Sequence, residues 1–270
     1  MVEKMSIVRW ESGEHSRRDD FLSVEEPLAV DVNGQRVAVL MRLPGGEKEL
    51  AAGFLVSEGF VSRFDDIRML SHCGETGENT SGESLGPSRN VVTVRSDSLN
   101  RPQDAATLLI RAGCGRTSVE DLGENIPRVT GELGLPVRTL TAMARQILDE
   151  QDVRQMAGGV HLAALFDREG RLLVTYEDIG RHNAADKVLG YALIRDIPLE
   201  DKILYNTGRA SYELVIKAAR LGVPVLASKS SPTSLAVTMA RQANVTLCGF
   251  VRPNRANVYS GAERILFEHS

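Results

Sequence analysis

Between residues 160 and 251, short apolar runs alternate with helical patterns, and this alternation restricts the fold more than any other feature of the chain. The apolar runs 160–166 and 171–176 flank Asp167-Arg168-Glu169-Gly170, a turn-forming tetrapeptide that joins them as a hairpin. Helical periodicity then marks about 184–195, 212–221 and 234–243, with strand-like runs at 203–206, 223–228 and 245–251 between and after them. A further helix is expected over 141–151. Strands joined through helices need crossover connections, which make neighbouring strands parallel and place helices on the faces of the sheet. The expected fold class is therefore α/β.

That topology predicts where ligands bind. The strand ending at Tyr176 and the three that follow should run the same way and end on one edge, so that their exit loops line a single crevice. The loops are 177–183, 207–211, 229–234 and 252–257, and they hold Arg181, His182, Lys187 just inside the helix, Arg209, Lys229, Arg252 and Arg255, with Gly208, Ser211 and other hydroxyls beside them. A chain whose formal net charge is −4 thus gathers cations at one sheet edge. Three of the loops precede helix N-termini, whose free N–H groups and positive dipole ends suit phosphate. The expected ligand is a phosphorylated, nucleotide-like anion. No Gly-x-x-x-x-Gly-Lys-Ser/Thr run and no dinucleotide fingerprint is present, which excludes a standard ATP or NAD site. The densest polar stretch is Glu177-Asp178-Ile179-Gly180-Arg181-His182-Asn183-Ala184-Ala185-Asp186-Lys187, a strand-to-helix turn in which Asp178, Arg181, His182 and Asn183 are the candidate anion holders. Taken singly, each of these loops reads equally well as helix caps and solvated charge.

The front of the chain reads differently. After a polar, mobile start, Asn33-Gly34 between the runs 27–32 and 35–41 predicts a β-hairpin, because both residues tolerate positive φ. Residues 47–60 form an amphipathic helix with one face for the core and Gly59 near its end. Residues 71–90 read as a long loop and 91–95 as a short strand. A boundary near Pro136 divides the chain into an N-terminal β-rich α+β subdomain, 1–136, and an α/β cofactor-binding domain, 137–270. With 42% hydrophobic and 25% charged residues, no apolar run of spanning length and no signal-peptide pattern, a cytoplasmic protein without affinity for membranes or nucleic acid is expected.

Cys73, Cys114 and Cys248 do not form a disulfide framework or a paired zinc signature. No protein metal site is expected. Cys248 lies in an apolar run and reads as core, as does His161 on its strand. Cys114 sits between two glycines, with Arg111 and Arg116 nearby to favour the thiolate, so it is the candidate nucleophile.

Several longer motifs carry a resemblance to a known family. Glu26-Pro27-Leu28, Gly53-Phe54-Leu55-Val56-Ser57-Glu58-Gly59, Gly158-Gly159-Val160-His161, the 177–187 stretch, Gly208-Arg209-Ala210-Ser211-Tyr212-Glu213-Leu214 and Gly249-Phe250-Val251-Arg252 occur in the order found in the FdhD family of formate dehydrogenase accessory sulfurtransferases. The resemblance implies a cytidine-deaminase-like mixed sheet, a homodimer, and a persulfide carrier serving formate dehydrogenase. Sulfur would pass from a cysteine desulfurase through Cys114 to a client, the bis-molybdopterin guanine dinucleotide form of the molybdenum cofactor. It also assigns Phe250, Val251, Arg252, Pro253, Asn254 and Arg255 to cofactor binding. Where the family commonly has Cys-Gly-x-Cys-Gly, this chain has Arg111 at the first cysteine and Cys114 at the second. The alternative implied function is a cofactor-binding chaperone that carries no sulfur. A zinc hydrolase of the deaminase kind lacks its His-x-Glu and Pro-Cys-x-x-Cys ligand motifs here.

Overall fold

The computed structural model describes residues 1–72, 90–100 and 126–267. Cys73, Cys114 and its flanking arginines lie outside the described residues. In chain order the elements begin with β1 (Val2–Glu11), β2 (Glu14–Ser23), β3 (Glu26–Val32), β4 (Gln35–Arg42), α1 (Glu47–Ser57), β5 (Ile67–His72), β6 (Val91–Ser96) and β7 (Leu135–Pro136). They continue with α2 (Val137–Asp149), α3 (Asp152–Ala157), β8 (His161–Phe166), β9 (Leu172–Asp178), α4 (Arg181–Ile194) and β10 (Ile203–Asn206). The last are α5 (Tyr212–Arg220), β11 (Val225–Ser228), α6 (Ser234–Gln242), β12 (Thr246–Arg252), β13 (Arg255–Ser260) and β14 (Ile265–Leu266).

A six-stranded sheet of order β13-β12-β11-β10-β8-β9 carries the α/β topology. Strands β10, β11 and β12 are parallel, and β8 is antiparallel to both β9 and β10, so β9 runs with β10 as expected. Helices cover both faces. On one, Ala163, Leu165, Leu204, Leu226 and Leu247 pack with Val188 of α4, Leu214 of α5 and Met239 of α6. On the other, Leu162, Phe166, Tyr205, Val225 and Cys248 pack with Leu140, Met143 and Ile147 of α2. Cys248 is core, and burial pushes its thiol up to about 12. The core of this sheet already takes in Val129, Leu133 and Leu135 ahead of Pro136.

The four-stranded sheet β4-β3-β6-β5 is built on the Asn33-Gly34 hairpin, with φ of 50° and 80° at the two turn residues. Helix α1 lies between this sheet and α4. Its residues from Leu50 to Ser57 are all buried, so it hides its whole circumference where the sequence suggested a single apolar face. The approach to α4 is backbone to backbone. A Cβ on Gly53 would fall 1.9 Å from the Asp186 carbonyl oxygen, and one on Gly190 1.8 Å from that of Glu49, so only glycine fits at either place.

Three other expectations change. The polar start is an ordered hairpin, β1 and β2, turned by Ser12 and Gly13 at φ of 53° and 95°. Most of its side chains on both faces are exposed, which is why no apolar alternation announced it. Residues 67–72 are a strand paired with β6. The segment 252–257 is not one loop: only Pro253 and Asn254 turn, and Arg255 begins β13, which pairs antiparallel with β12.

Candidate functional site

The exit loops of β9, β10, β11 and β12 meet at one edge of the sheet, each tied to a neighbour. Thr207 accepts the Leu162 N–H on its hydroxyl at 2.9 Å. The Ala210 N–H donates to Ser231 O at 3.2 Å, the Thr233 N–H to Ala210 O at 3.0 Å, and the Phe250 N–H to Ser230 O at 3.0 Å. His182 Nε2 and the Ser211 hydroxyl lie 3.0 Å apart and join the first loop to the second. The N-termini of α4, α5 and α6 follow three of these loops, as the sequence predicts.

Gly208 is the narrowest point. Asn206 holds it through both backbone groups, donating to its carbonyl and accepting from its N–H at 3.0 Å each, and the Ser228 hydroxyl donates to the same carbonyl at 2.7 Å. A Cβ here would sit 3.0 Å from Arg181 Cβ and Cδ and 3.2 Å from His161 Nδ1. That Nδ1 and Arg181 Nε are buried and unpartnered among the described residues. His161, expected to be a satisfied core histidine, is instead half-buried at the mouth of the crevice. It begins β8, and the antiparallel sense of β8 brings its first residue to the edge where β9 and β10 end. An apolar strand pattern cannot reveal that reversal.

The 177–187 stretch divides into two groups. Asp178 is fully buried, accepting on one oxygen from the Leu43 N–H at 3.2 Å and Lys187 Nζ at 2.8 Å. Its other oxygen accepts from the Gly180 N–H at 2.9 Å and Asn183 Nδ2 at 3.1 Å. Lys187 also donates to Leu43 O at 2.8 Å, and Asn183 Nδ2 to Met41 O at 2.7 Å. Asp178 and Asn183, named as anion holders from sequence, and Lys187, counted there among the edge cations, thus serve an internal brace that ties the end of β4 to the six-stranded sheet. Asp186 forms a second buried cluster with Lys217, whose Nζ lies 2.9 Å from both of its oxygens, and with Ser57 at 2.7 Å.

Arg181 and His182 point the other way. Burial, reinforced by the charges of Arg181 and Lys217, pushes His182 down to about 4, so near neutral pH it is an uncharged hydrogen-bonding partner of Ser211 and not one of the crevice cations. Burial and then Arg181 and Arg154 push His161 down as well. Burial lowers Lys229, and the charges of Arg154 and Arg252 lower it further. Arg209, Arg252 and Arg255 are exposed at the rim. None of Arg154, Arg181, Arg209, Lys229 or Arg252 pairs with a carboxylate among the described residues.

Between β12 and β13 the pairing slips, and Phe250 takes φ of 51°. A β-carbon in that region costs about 1–2 kcal/mol. The Phe250 ring is half-exposed, with the Arg255 guanidinium 5.1 Å above it. Arg154 and His161 are the site residues that sequence reasoning missed. A separate cavity of about 590 Å³, lined among others by Arg63, Pro127, Ile197 and Gly222, lies at the opposite edge of the sheet. Among the described residues no group of three His, Cys, Asp or Glu could hold a metal ion, and no helix is long and apolar enough to cross a membrane.

Fold and site together define a mixed α/β protein whose strand-exit loops gather cations at one sheet edge. The FdhD/NarQ family model matches residues 23–266, and the chain belongs to that family. It is 40% identical over 256 residues to a sulfur carrier protein FdhD of Anaeromyxobacter dehalogenans, covering 91% of this chain and 88% of that one. The identity to a sulfur carrier protein FdhD of Mycobacterium tuberculosis is 42% over 258 residues, covering 92% of each. A crystal structure from Desulfotalea psychrophila, described as a formate dehydrogenase accessory protein, superposes with a TM-score of 0.79 at 28% identity, covering 98% of this chain and 99% of that one.

Proposed function

We propose that this protein is a sulfur carrier in formate dehydrogenase maturation, and that its crevice binds the bis-molybdopterin guanine dinucleotide cofactor as a client. The observation that carries the cofactor half is the convergence of four loops whose cations lack carboxylate partners among the described residues. A phosphorylated ligand would supply the missing negative charge, with helix N-termini to receive its oxygens. The strained, half-exposed Phe250 ring offers a face on which a guanine base can stack. The likeness to sulfur carrier proteins FdhD supports the sulfur half.

In this reading the Cys114 thiolate attacks the terminal sulfur of a desulfurase persulfide. A new S–S bond forms on Cys114 while the old one breaks, and the donor cysteine leaves as thiolate without net oxidation. Releasing that sulfur as sulfide takes two electrons, which we assign to an external thiol. A second copy of the chain, a cysteine desulfurase and formate dehydrogenase are the proposed partners. We also read the six-stranded layer as cytidine-deaminase-like, on its parallel β10-β11-β12 core with helices on both faces.

Incubation with a cysteine desulfurase and cysteine, followed by persulfide-specific labelling and mass spectrometry, should place one extra sulfur on Cys114 and none on Cys114→Ala. An unlabelled wild-type protein that still binds guanosine diphosphate would leave the chaperone reading in its place. The absence of a second cysteine at Arg111 is the observation that favours that second reading.

A further inference from the structure

We propose that Arg154, supplied by α3 from outside the four exit loops, contacts a phosphate of the ligand in this crevice, and that Glu177 positions it. The inference rests on the crevice being an anion site and adds a fifth wall to it. Helix α3 has no capping side chain of its own at Gln151. Its first turn is received instead by the Glu177 carboxylate, which accepts the Val153 N–H at 2.7 Å and the Arg154 N–H at 3.1 Å. The first residue of the 177–187 stretch therefore fixes a helix whose first turn lies more than 20 residues before it in the chain. From α3 the Arg154 guanidinium donates one N–H to Val160 O at 3.2 Å. Its other donors have no acceptor among the described residues. The contact anchors it one residue before His161, whose buried Nδ1 faces Gly208.

The charges around Arg154 also favour an anion here. Arg154 is close enough to His161 and to Lys229 for its charge to disfavour protonation of both, and Arg252 acts on Lys229 in the same sense. Three cations gathered at one edge repel one another, and a phosphate between them removes that repulsion. Arginine presents a planar fork of donors suited to two phosphate oxygens, so one N–H held by Val160 O still leaves a pair for the ligand. Helix α3 also packs on β1 and β2, and the Ser23 hydroxyl donates to Gly158 O at 2.9 Å. The N-terminal hairpin thus backs the same arginine, which gives that exposed element a tie to the crevice.

Calorimetric titration of guanosine diphosphate and of guanosine into the full chain tests the assignment. Arg154→Met should weaken the diphosphate about 10-fold and leave guanosine unchanged, Arg154→Lys should recover part of the loss, and Glu177→Gln should fall between wild type and Arg154→Met. Equal losses for both ligands would make Arg154 a structural residue and overturn the inference. Diphosphate binding that is weakened by Arg252→Met but unaffected by Arg154→Met would also overturn it while leaving the proposed crevice standing. A wild-type protein that binds no guanosine diphosphate would remove both.

Discussion

The brace around Asp178 and the crevice around Gly208 use similar residue types to opposite ends, though they start from one stretch of eleven residues. In the brace, Asp178 and Lys187 are buried, 2.8 Å apart, and every remaining acceptor or donor that can be traced goes to Leu43, Gly180 or Asn183. In the crevice, Arg181, Lys229 and Arg252 have no carboxylate partner among the described residues, and His161 and Arg181 each keep a buried nitrogen unpartnered. A satisfied buried charge reports a structural role, whereas the unsatisfied ones at the loop edge are those the proposed ligand would pair.

Breaking the brace should have the largest effect. Lys187→Met leaves the Asp178 carboxylate buried with one partner fewer and should cost about 3–5 kcal/mol in urea unfolding. The double variant Asp178→Asn with Lys187→Met should recover much of that loss. Arg252→Met tests the other side. Removing an exposed cation should change stability by no more than about 0.5 kcal/mol, while guanosine diphosphate affinity falls about 10-fold, the scale of one charge-assisted hydrogen bond. A loss of stability as large as that from the brace variant would erase the distinction.

Phe250→Gly should fall between the two. Relief of the positive φ offsets lost burial of the ring, so stability should stay within about 1 kcal/mol of wild type. Nucleotide affinity should drop by about 1 kcal/mol or more if the base stacks there. The smallest expected effect is in pH dependence. His182 is held near 4 in the fold against 6.5 unfolded, so its neutral form stabilises the protein fully above pH 6.5, and that contribution is lost as pH falls toward 4. Asp186, raised by burial to about 6 from 3.8, has the opposite sign: its contribution is present at low pH and is lost as pH rises toward 6. Comparing wild type with His182→Gln between pH 7 and 4 isolates the histidine. The two stability curves should converge by about 1–2 kcal/mol toward low pH, and parallel curves would show that His182 does not titrate with folding.

Much of this was legible in the chain before any coordinates. The strand and helix alternation from residue 160 onward placed four strand ends on one edge, because crossover connections leave little choice of direction. The same reading put Arg181, Gly208, Ser211 and Arg252 at that edge. It could not separate Asp178 and Asn183 from Arg181 and His182, because the hydrogen-bond partners of the first pair, Leu43 and Met41, lie more than 130 residues away in sequence. Arg154 and His161 were hidden for a related reason. One reaches the edge from a helix capped by Glu177, and the other sits there because β8 runs against its neighbours. The β1/β2 hairpin was missed because strands exposed on both faces carry no apolar period.

The most direct test of the division between brace and crevice is a titration of guanosine diphosphate into wild-type protein and into a Lys229→Met, Arg252→Met double variant, with thermal melting of both. The account predicts binding to the wild type, loss of at least 10-fold in affinity in the double variant, and melting temperatures that agree within about 2 °C. Equal affinity for both proteins, or a double variant that melts as low as Lys187→Met, would contradict it.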